Sequence, residues 1–188
     1  MKKIFLIILI IGIGIFYQAA PIFAQIGISY SFDYIGSYAH DEDFGRQIDT
    51  TEIGFGLGLE YLRQIETIEI GAGIEWQKLR GFSFSENNEE FGFISGYGMG
   101  KFYLREPDTV SYNLYLLGRI GYGVLIENQY RQKTGGFYYA IGLGAKGDFE
   151  IFNWIELLYS ANQAMIETDL NLKAFFYNKM SIVIGMVL

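Results

Sequence analysis

Residues 53–61 read Ile53-Gly54-Phe55-Gly56-Leu57-Gly58-Leu59-Glu60-Tyr61. Every second residue is large and apolar, and every residue between is glycine or a carboxylate. A period of two marks a strand whose two faces meet different surroundings. The same register extends in both directions along the chain. Upstream, Ile26, Ile28, Tyr30, Phe32 and Tyr34 oppose Gly27, Ser29, Ser31 and Asp33. Downstream, Ile68, Ile70, Ala72, Ile74 and Trp76 oppose Glu69, Gly71, Gly73, Glu75 and Gln77. A less regular stretch covers Phe91 to Leu104, with Gly96, Gly98 and Gly100 on one face. Four more strands follow. Tyr112, Leu114, Leu116, Ile120, Tyr122 and Val124 oppose Asn113, Arg119, Gly121 and Gly123. Phe137, Tyr139, Ile141 and Leu143 oppose Gly142, Gly144 and Lys146. Ile155, Leu157 and Tyr159 oppose Glu156, Ser160 and Asn162. A long final strand keeps Leu170, Leu172, Ala174, Phe176, Met180, Ile182, Ile184, Met186 and Leu188 in one parity. A break at Asn178-Lys179 would raise the count, and ten strands is the alternative to eight.

The spacing of turn signals predicts short connections near Gln64 to Glu66, at Glu106-Pro107-Asp108 and at Gly147-Asp148. It predicts longer polar loops near Ala39 to Asp49, Gly81 to Glu90, Asn128 to Lys133 and Gln163 to Asp169. Short and long connections alternating in this way are the up-and-down pattern of a barrel with one short-turn rim and one long-loop rim.

Before these strands, Lys2 and Lys3 precede an apolar run from Ile4 to Phe16, and a less apolar stretch ends in Pro21-Ile22-Phe23-Ala24-Gln25. These are the three regions of an export signal. The expected division is a signal peptide over 1–24 and a barrel over 25–188, with a cut nearer Ala20 as an alternative. An uncleaved spanning helix is the competing reading of the same segment. Its two glycines and proline, and the absence of a following basic cluster, speak against it.

The chain has 14 basic and 21 acidic residues; losing Lys2 and Lys3 leaves 12 and 21, a formal charge of -9. This disfavours nucleic acid as a partner and a polybasic surface seeking anionic head groups. With no cysteine, neither a disulfide framework nor a lipid-anchored N-terminus is available. Aromatics at 18% and 24 glycines against two prolines suit a barrel in lipid better than a soluble domain.

Alternation by itself does not separate a membrane barrel from a soluble one whose apolar face points inward around a ligand, as in a lipocalin. The glycines decide between them. Those at 27, 54, 56, 58, 71, 73, 96, 98, 100, 121, 123, 142, 144 and 185 are assigned to the polar face. A water-facing strand surface of glycine would only lose β propensity. In a narrow lumen, glycine makes room for Glu60, Glu75, Tyr115, Arg119 and Lys146 to cross and pair. Tyr61, Trp76, Tyr103, Tyr122, Tyr139 and Tyr159, assigned to the apolar face near strand ends, fit a membrane interface.

The expected fold is therefore all-β: an eight-stranded antiparallel up-and-down transmembrane barrel following a cleavable signal. On this pattern the mature region resembles the small outer-membrane barrels of the OmpA/OmpX-like, porin-family group. The terminal alternation Met180, Ile182, Ile184, Met186, Leu188 matches that group's usual ending, but lacks its final aromatic. The resemblance implies residence in the outer membrane of a Gram-negative cell, contact with outer-membrane lipid and lipopolysaccharide, assembly by the barrel assembly machinery, and a monomer.

Candidate chemistry is sparse. His40, the single histidine, stands near Ser37 and Asp41-Glu42-Asp43; a lipid-A acyltransferase or deacylase needs these residue types, but nothing in the sequence enforces their geometry. Asp41, Glu42 and Asp43, or Glu86, Glu89 and Glu90, lack the spacing of a dedicated calcium loop. No cofactor or metal is expected, and no enzyme activity. Glu60, Glu75, Arg119, Lys146, Glu156 and Lys173 are expected to form a structural network inside the lumen, since eight strands enclose a space that side chains can fill. The expected role is structural, or surface interaction through external loops. The alternatives are a small transport barrel, then a lipid-A-modifying enzyme, then a secreted lipocalin-like carrier.

Overall fold

The computed structural model describes residues 24–42, 45–51, 53–78, 80–81, 90–105, 112–127, 135–167 and 172–188. They form ten strand segments: β1 (Ala24–Glu42), β2 (Gly45–Thr51), β3 (Gly54–Ile65), β4 (Ile68–Gln77), β5 (Arg80–Gly81), β6 (Glu90–Tyr103), β7 (Tyr112–Glu127), β8 (Gly135–Gly147), β9 (Trp154–Glu167) and β10 (Leu172–Val187). The expected signal segment, apart from Ala24 at the start of β1, lies outside the described residues.

All pairings are antiparallel, and β1 pairs with β10, so the sheet closes on itself. Closure satisfies every strand edge within the wall, which hydrocarbon requires because it offers no hydrogen bonds. Ten segments make eight staves. β2 and β3 lie on β1 in one continuous register, Gly36↔Thr51 running on to Asp33↔Gly54. β5 prolongs β4 along β6, offset by one residue: Trp76 faces Ile94, and Arg80 faces Phe91. The ten-strand alternative thus gives way to eight interrupted staves, and the final strand is unbroken across Asn178-Lys179.

Burial follows the alternation. Ile26, Tyr30, Phe32 and Tyr34 of β1 are exposed while Ser29, Ser31 and Asp33 are buried. On β7, Tyr112 and Tyr122 both face out, ten residues apart. With a rise of ~3.4 Å per residue and a tilt of ~40°, their spacing along the barrel axis is about 26 Å, the height of the apolar band of a membrane barrel. The greasy surface is outside and the polar one inside. An inward-facing apolar cavity of the lipocalin kind is excluded.

Three expectations need correction. Gly96, Gly98 and Gly100 face outward, not into the lumen. Their partners in alternation, Tyr97, Met99, Lys101 and Tyr103, are buried, because the hydrogen-bonding tips of Tyr97, Lys101 and Tyr103 find carboxylates only in the lumen. Tyr103 is accordingly not an interfacial aromatic. The segments assigned to loops at Ala39–Asp49 and Gln163–Asp169 are largely strand: β1 pairs with β2 out to Glu42↔Gly45, and β9 with β10 out to Glu167↔Leu172. Beyond the lipid no contrast between faces is needed, so a strand can continue with a polar sequence that carries no period. The expected short connection at Gly147-Asp148 extends to Asn153, whereas the one near Gln64 is a tight turn at Glu66-Thr67, with Glu66 at φ 52. The expected turn at Glu106-Pro107-Asp108 and the loop at Asn128–Lys133 lie outside the described residues, as do residues 82–89 of the loop at Gly81–Glu90.

Candidate functional site

Among the described residues, the lumen is the one place that gathers ionisable side chains out of water, and the pleat explains why. Residues at alternate positions of a closed sheet all converge on the axis. A continuous ladder of acids and bases results. From the long-strand rim downward, Ser181 Oγ donates to Asp33 Oδ1 at 2.7 Å, and Lys179 Nζ lies 3.0 Å from Asp33 and 2.8 Å from Glu75. Glu75 approaches Arg119 at 3.8 Å. Arg119 then binds Glu60 at 2.9 Å and Glu156 at 2.7 Å through one nitrogen, Nη2. Glu156 passes the chain to Lys101 at 2.8 Å. Lys101 lies 3.9 Å from Glu69, which pairs with Lys146 at 2.8 Å near the short-turn rim.

Tyrosines complete the carboxylates. Tyr97 donates to Glu60 at 3.0 Å, Tyr103 to Glu69 at 3.1 Å and Tyr115 to Glu156 at 2.8 Å. Their rings also face the cations: Arg119 lies 4.9 Å from the Tyr97 ring centroid and Lys101 lies 5.1 Å from that of Tyr115. A buried carboxylate is costly unless its charge is paired and its remaining lone pairs are bonded. Both conditions are met at Glu156.

Glycine seats the rings. Gly73 is directly opposite Tyr97, Gly144 opposite Tyr115 and Gly185 opposite Trp154. A Cβ at any of these glycines would collide with the facing ring. Each aromatic lies over the bare backbone of its cross-strand partner, which is how a bulky residue fits into so narrow a barrel.

Aromatic layers close the two ends. Toward the long-strand rim, Phe91, Phe93 and Tyr177 pack with Leu125 and Ala164; the Phe93 and Tyr177 rings stack at 6.1 Å and Phe91 meets Tyr177 edge-on at 5.2 Å. At the opposite rim Trp154 is buried across Gly27 and Gly185, with Lys101 5.0 Å from its ring. Tyr138 and Asn162, in the outer half of the lumen, are 0% exposed. No channel wide enough for water touches them.

The six residues expected inside the lumen fare as follows. Glu60, Glu75, Arg119, Lys146 and Glu156 are in the ladder, with Lys146 the most exposed of them at 22%. Lys173 belongs to β10, opposite Ile166, but its side chain lies outside those described. Sequence reasoning left Lys101, Lys179, Asp33 and Glu69 out of the network. Asp33 and Glu69 were legible, being placed on the polar face already. Lys101 was hidden by the misread register of β6, and Lys179 by the suspected break beside it. His40 takes a backbone position opposite Phe175 and Gln47; its side chain and those of Asp41, Glu42, Asp43, Glu86, Glu89 and Glu90 are outside the described residues.

No protein-family model and no curated protein sequence matches the chain. Its fold is similar to that of solved outer-membrane barrels. Neisserial surface protein A superposes with a TM-score of 0.51 at 9% identity, over 88% of this chain and 99% of that one. OprG from Pseudomonas aeruginosa gives 0.48 at 11% identity, over 87% and 94%. Ail of Yersinia pestis gives 0.42 at 18% identity, over 87% and 97%. The chain has the fold of the small eight-stranded outer-membrane barrels.

Proposed function

We propose that this protein is a non-enzymatic outer-membrane barrel of a Gram-negative cell whose lumen is a structural plug, and whose contacts with other molecules are made by the strands and loops outside the membrane. The observation that carries the reading is the Glu60–Arg119–Glu156–Lys101 cluster, four fully buried charged side chains contributed by β3, β7, β9 and β6. Groups from well-separated staves meet at the axis, so no cross-section there is left for a solute. A selectivity lining would instead leave its charges facing water.

Its partners in this reading are outer-membrane lipid and lipopolysaccharide along the wall, with the barrel assembly machinery acting during biogenesis; the barrel works as a monomer. It employs no cofactor. Reconstitution in planar bilayers tests the plug: the expected record shows no sustained single-channel steps, and a stable conductance would replace this reading by the transport barrel. The enzyme alternative has its own check. Substituting His40→Ala should leave the cell's lipid A unchanged by mass spectrometry, and loss of a modification would overturn the non-enzymatic assignment.

A further inference from the structure

We infer that the β8–β9 turn, residues 148–153, is a membrane anchor that lies in the head-group boundary of a zwitterionic leaflet; this rests on the membrane reading of the barrel. Turns between barrel strands are ordinarily polar. This one reads Asp148-Phe149-Glu150-Ile151-Phe152-Asn153. Ile151 is 77% exposed, more than any other large apolar residue whose side chain is described. The Phe149 ring stacks on Phe152 at 4.5 Å and meets the ring of Tyr112 at 5.3 Å. Tyr112 is an outward residue of β7, so these rings lie on the outer wall of the barrel and not beneath its lumen. The lumen at this rim is closed from inside by the next residue along, Trp154.

The patch is continuous with the lipid-facing belt through Tyr112, Leu114 and Ile155, all exposed. That continuity identifies its occupant as lipid. The turn is also held firmly. Asn153 donates its N–H to Gly185 at 2.7 Å, accepts from Gly147 N at 2.9 Å through its carbonyl, and accepts from Val187 N at 2.7 Å through Oδ1. Clamped to β8 and β10, the turn presents Phe149, Ile151 and Phe152 at a set height. Aromatic and aliphatic groups at that depth are favourable at an interface. Between them, the exposed Asp148 and Glu150 would be repelled by anionic phospholipid and attracted by ammonium head groups.

The test exploits the absence of cysteine. Single variants Ile151→Cys, Thr67→Cys in the β3–β4 turn, and Leu116→Cys in the middle of the belt are labelled with an environment-sensitive fluorophore. Each is reconstituted into phosphatidylethanolamine–phosphatidylcholine vesicles containing lipid with a nitroxide near the head group. Quenching at position 151 should exceed that at position 67 by about two-fold or more, as expected for an interfacial group against a wetted one. It should fall when phosphatidylglycerol replaces phosphatidylethanolamine. Equal quenching at 151 and 67, with position 116 reached by nitroxides placed deeper in the acyl region, would overturn the anchor alone. Absence of quenching at 116 by any membrane-bound nitroxide would overturn the membrane reading beneath it. Indifference to phosphatidylglycerol would remove the head-group preference.

Discussion

At the scale of single residues, Arg119 is the side chain on which most of the lumen depends. One guanidinium nitrogen serves both Glu60 and Glu156, each 0% exposed at its side chain. Substituting Arg119→Met keeps the volume and removes the charge, leaving two carboxylates buried together. The expected cost is about 3–5 kcal/mol of stability, the usual range for breaking a buried pair. Urea unfolding in vesicles, followed by tryptophan fluorescence, measures it. Restoring the charge balance with Glu60→Gln in the same chain, which leaves Glu156 its Lys101 partner at 2.8 Å, should recover part of the loss, which a purely steric effect would not permit.

The glycines divide into two groups at this scale. Gly185 faces the Trp154 ring, and a side chain there meets it at once. Gly96 faces outward with nothing within 4 Å of a Cβ. Gly185→Val should destabilise by roughly 1–3 kcal/mol through overpacking, whereas Gly96→Val should be neutral or favourable within ~1 kcal/mol, the span of β propensity. The same unfolding assay compares them. Equal losses at both would mean that the assigned faces of β6 and β10 are wrong.

At the scale of elements, the staves differ in how much of their length the membrane protects. β7 is paired on both sides along Tyr115 to Val124, with β6 from Tyr115 onward and with β8 from Tyr112 to Val124. β2 is bonded to β1 alone among the described pairings and lies above the bulge where β1 gains a residue at Tyr34. That extra residue resets the parity, since Asp33 and Gly36 are both buried. Local opening should therefore be far easier in β2 than in β7. Hydrogen exchange in lipid nanodiscs is expected to show amides of Gly45–Thr51 exchanging at least about 100-fold faster than those of Leu116–Val124, a difference in opening free energy of ~3 kcal/mol. Comparable protection would place the β1–β2 extension inside a shielded assembly.

Element boundaries were legible where two environments met. The lipid–lumen contrast imprints a period of two on β3, β4, β7 and β8, and their registers follow directly from the chain. β6 resisted because both of its faces carry residues that are ambiguous on their own. Tyrosine belongs equally to an interface and to a lumen, and glycine to either side. The choice was made by hydrogen bonding: Tyr97 and Tyr103 reach Glu60 and Glu69, partners far away in sequence. The outer extensions were illegible for the opposite reason. Both faces of β1 beyond Gly36 and of β2 carry polar residues, so no period could form.

At the scale of the whole molecule, closure and filling are one property. Because β1 bonds β10, the sheet has a fixed circumference, and eight staves leave an interior that side chains can span. The ladder from Asp33 to Lys146 and the aromatic layers at Phe93–Tyr177 and Trp154 occupy it. Such a barrel should unfold as a unit. Unboiled protein extracted from an outer-membrane fraction is expected to migrate faster on a denaturing gel than the same sample boiled, since an intact closed barrel binds less detergent than its extended chain. Identical mobility would contradict closure. The Arg119→Met variant should lose the compact band at a lower temperature.

The order of greasy and small residues along this chain was enough, by itself, to determine a barrel with lipid outside, because alternation and the lumenal glycines are local properties of a strand. What only the tertiary structure decided is which acid meets which base, that Lys101 and Lys179 are among them, and that β6 turns its glycines outward. Those outcomes depend on side chains from distant staves converging at one axis, a distance in space that no spacing in sequence encodes.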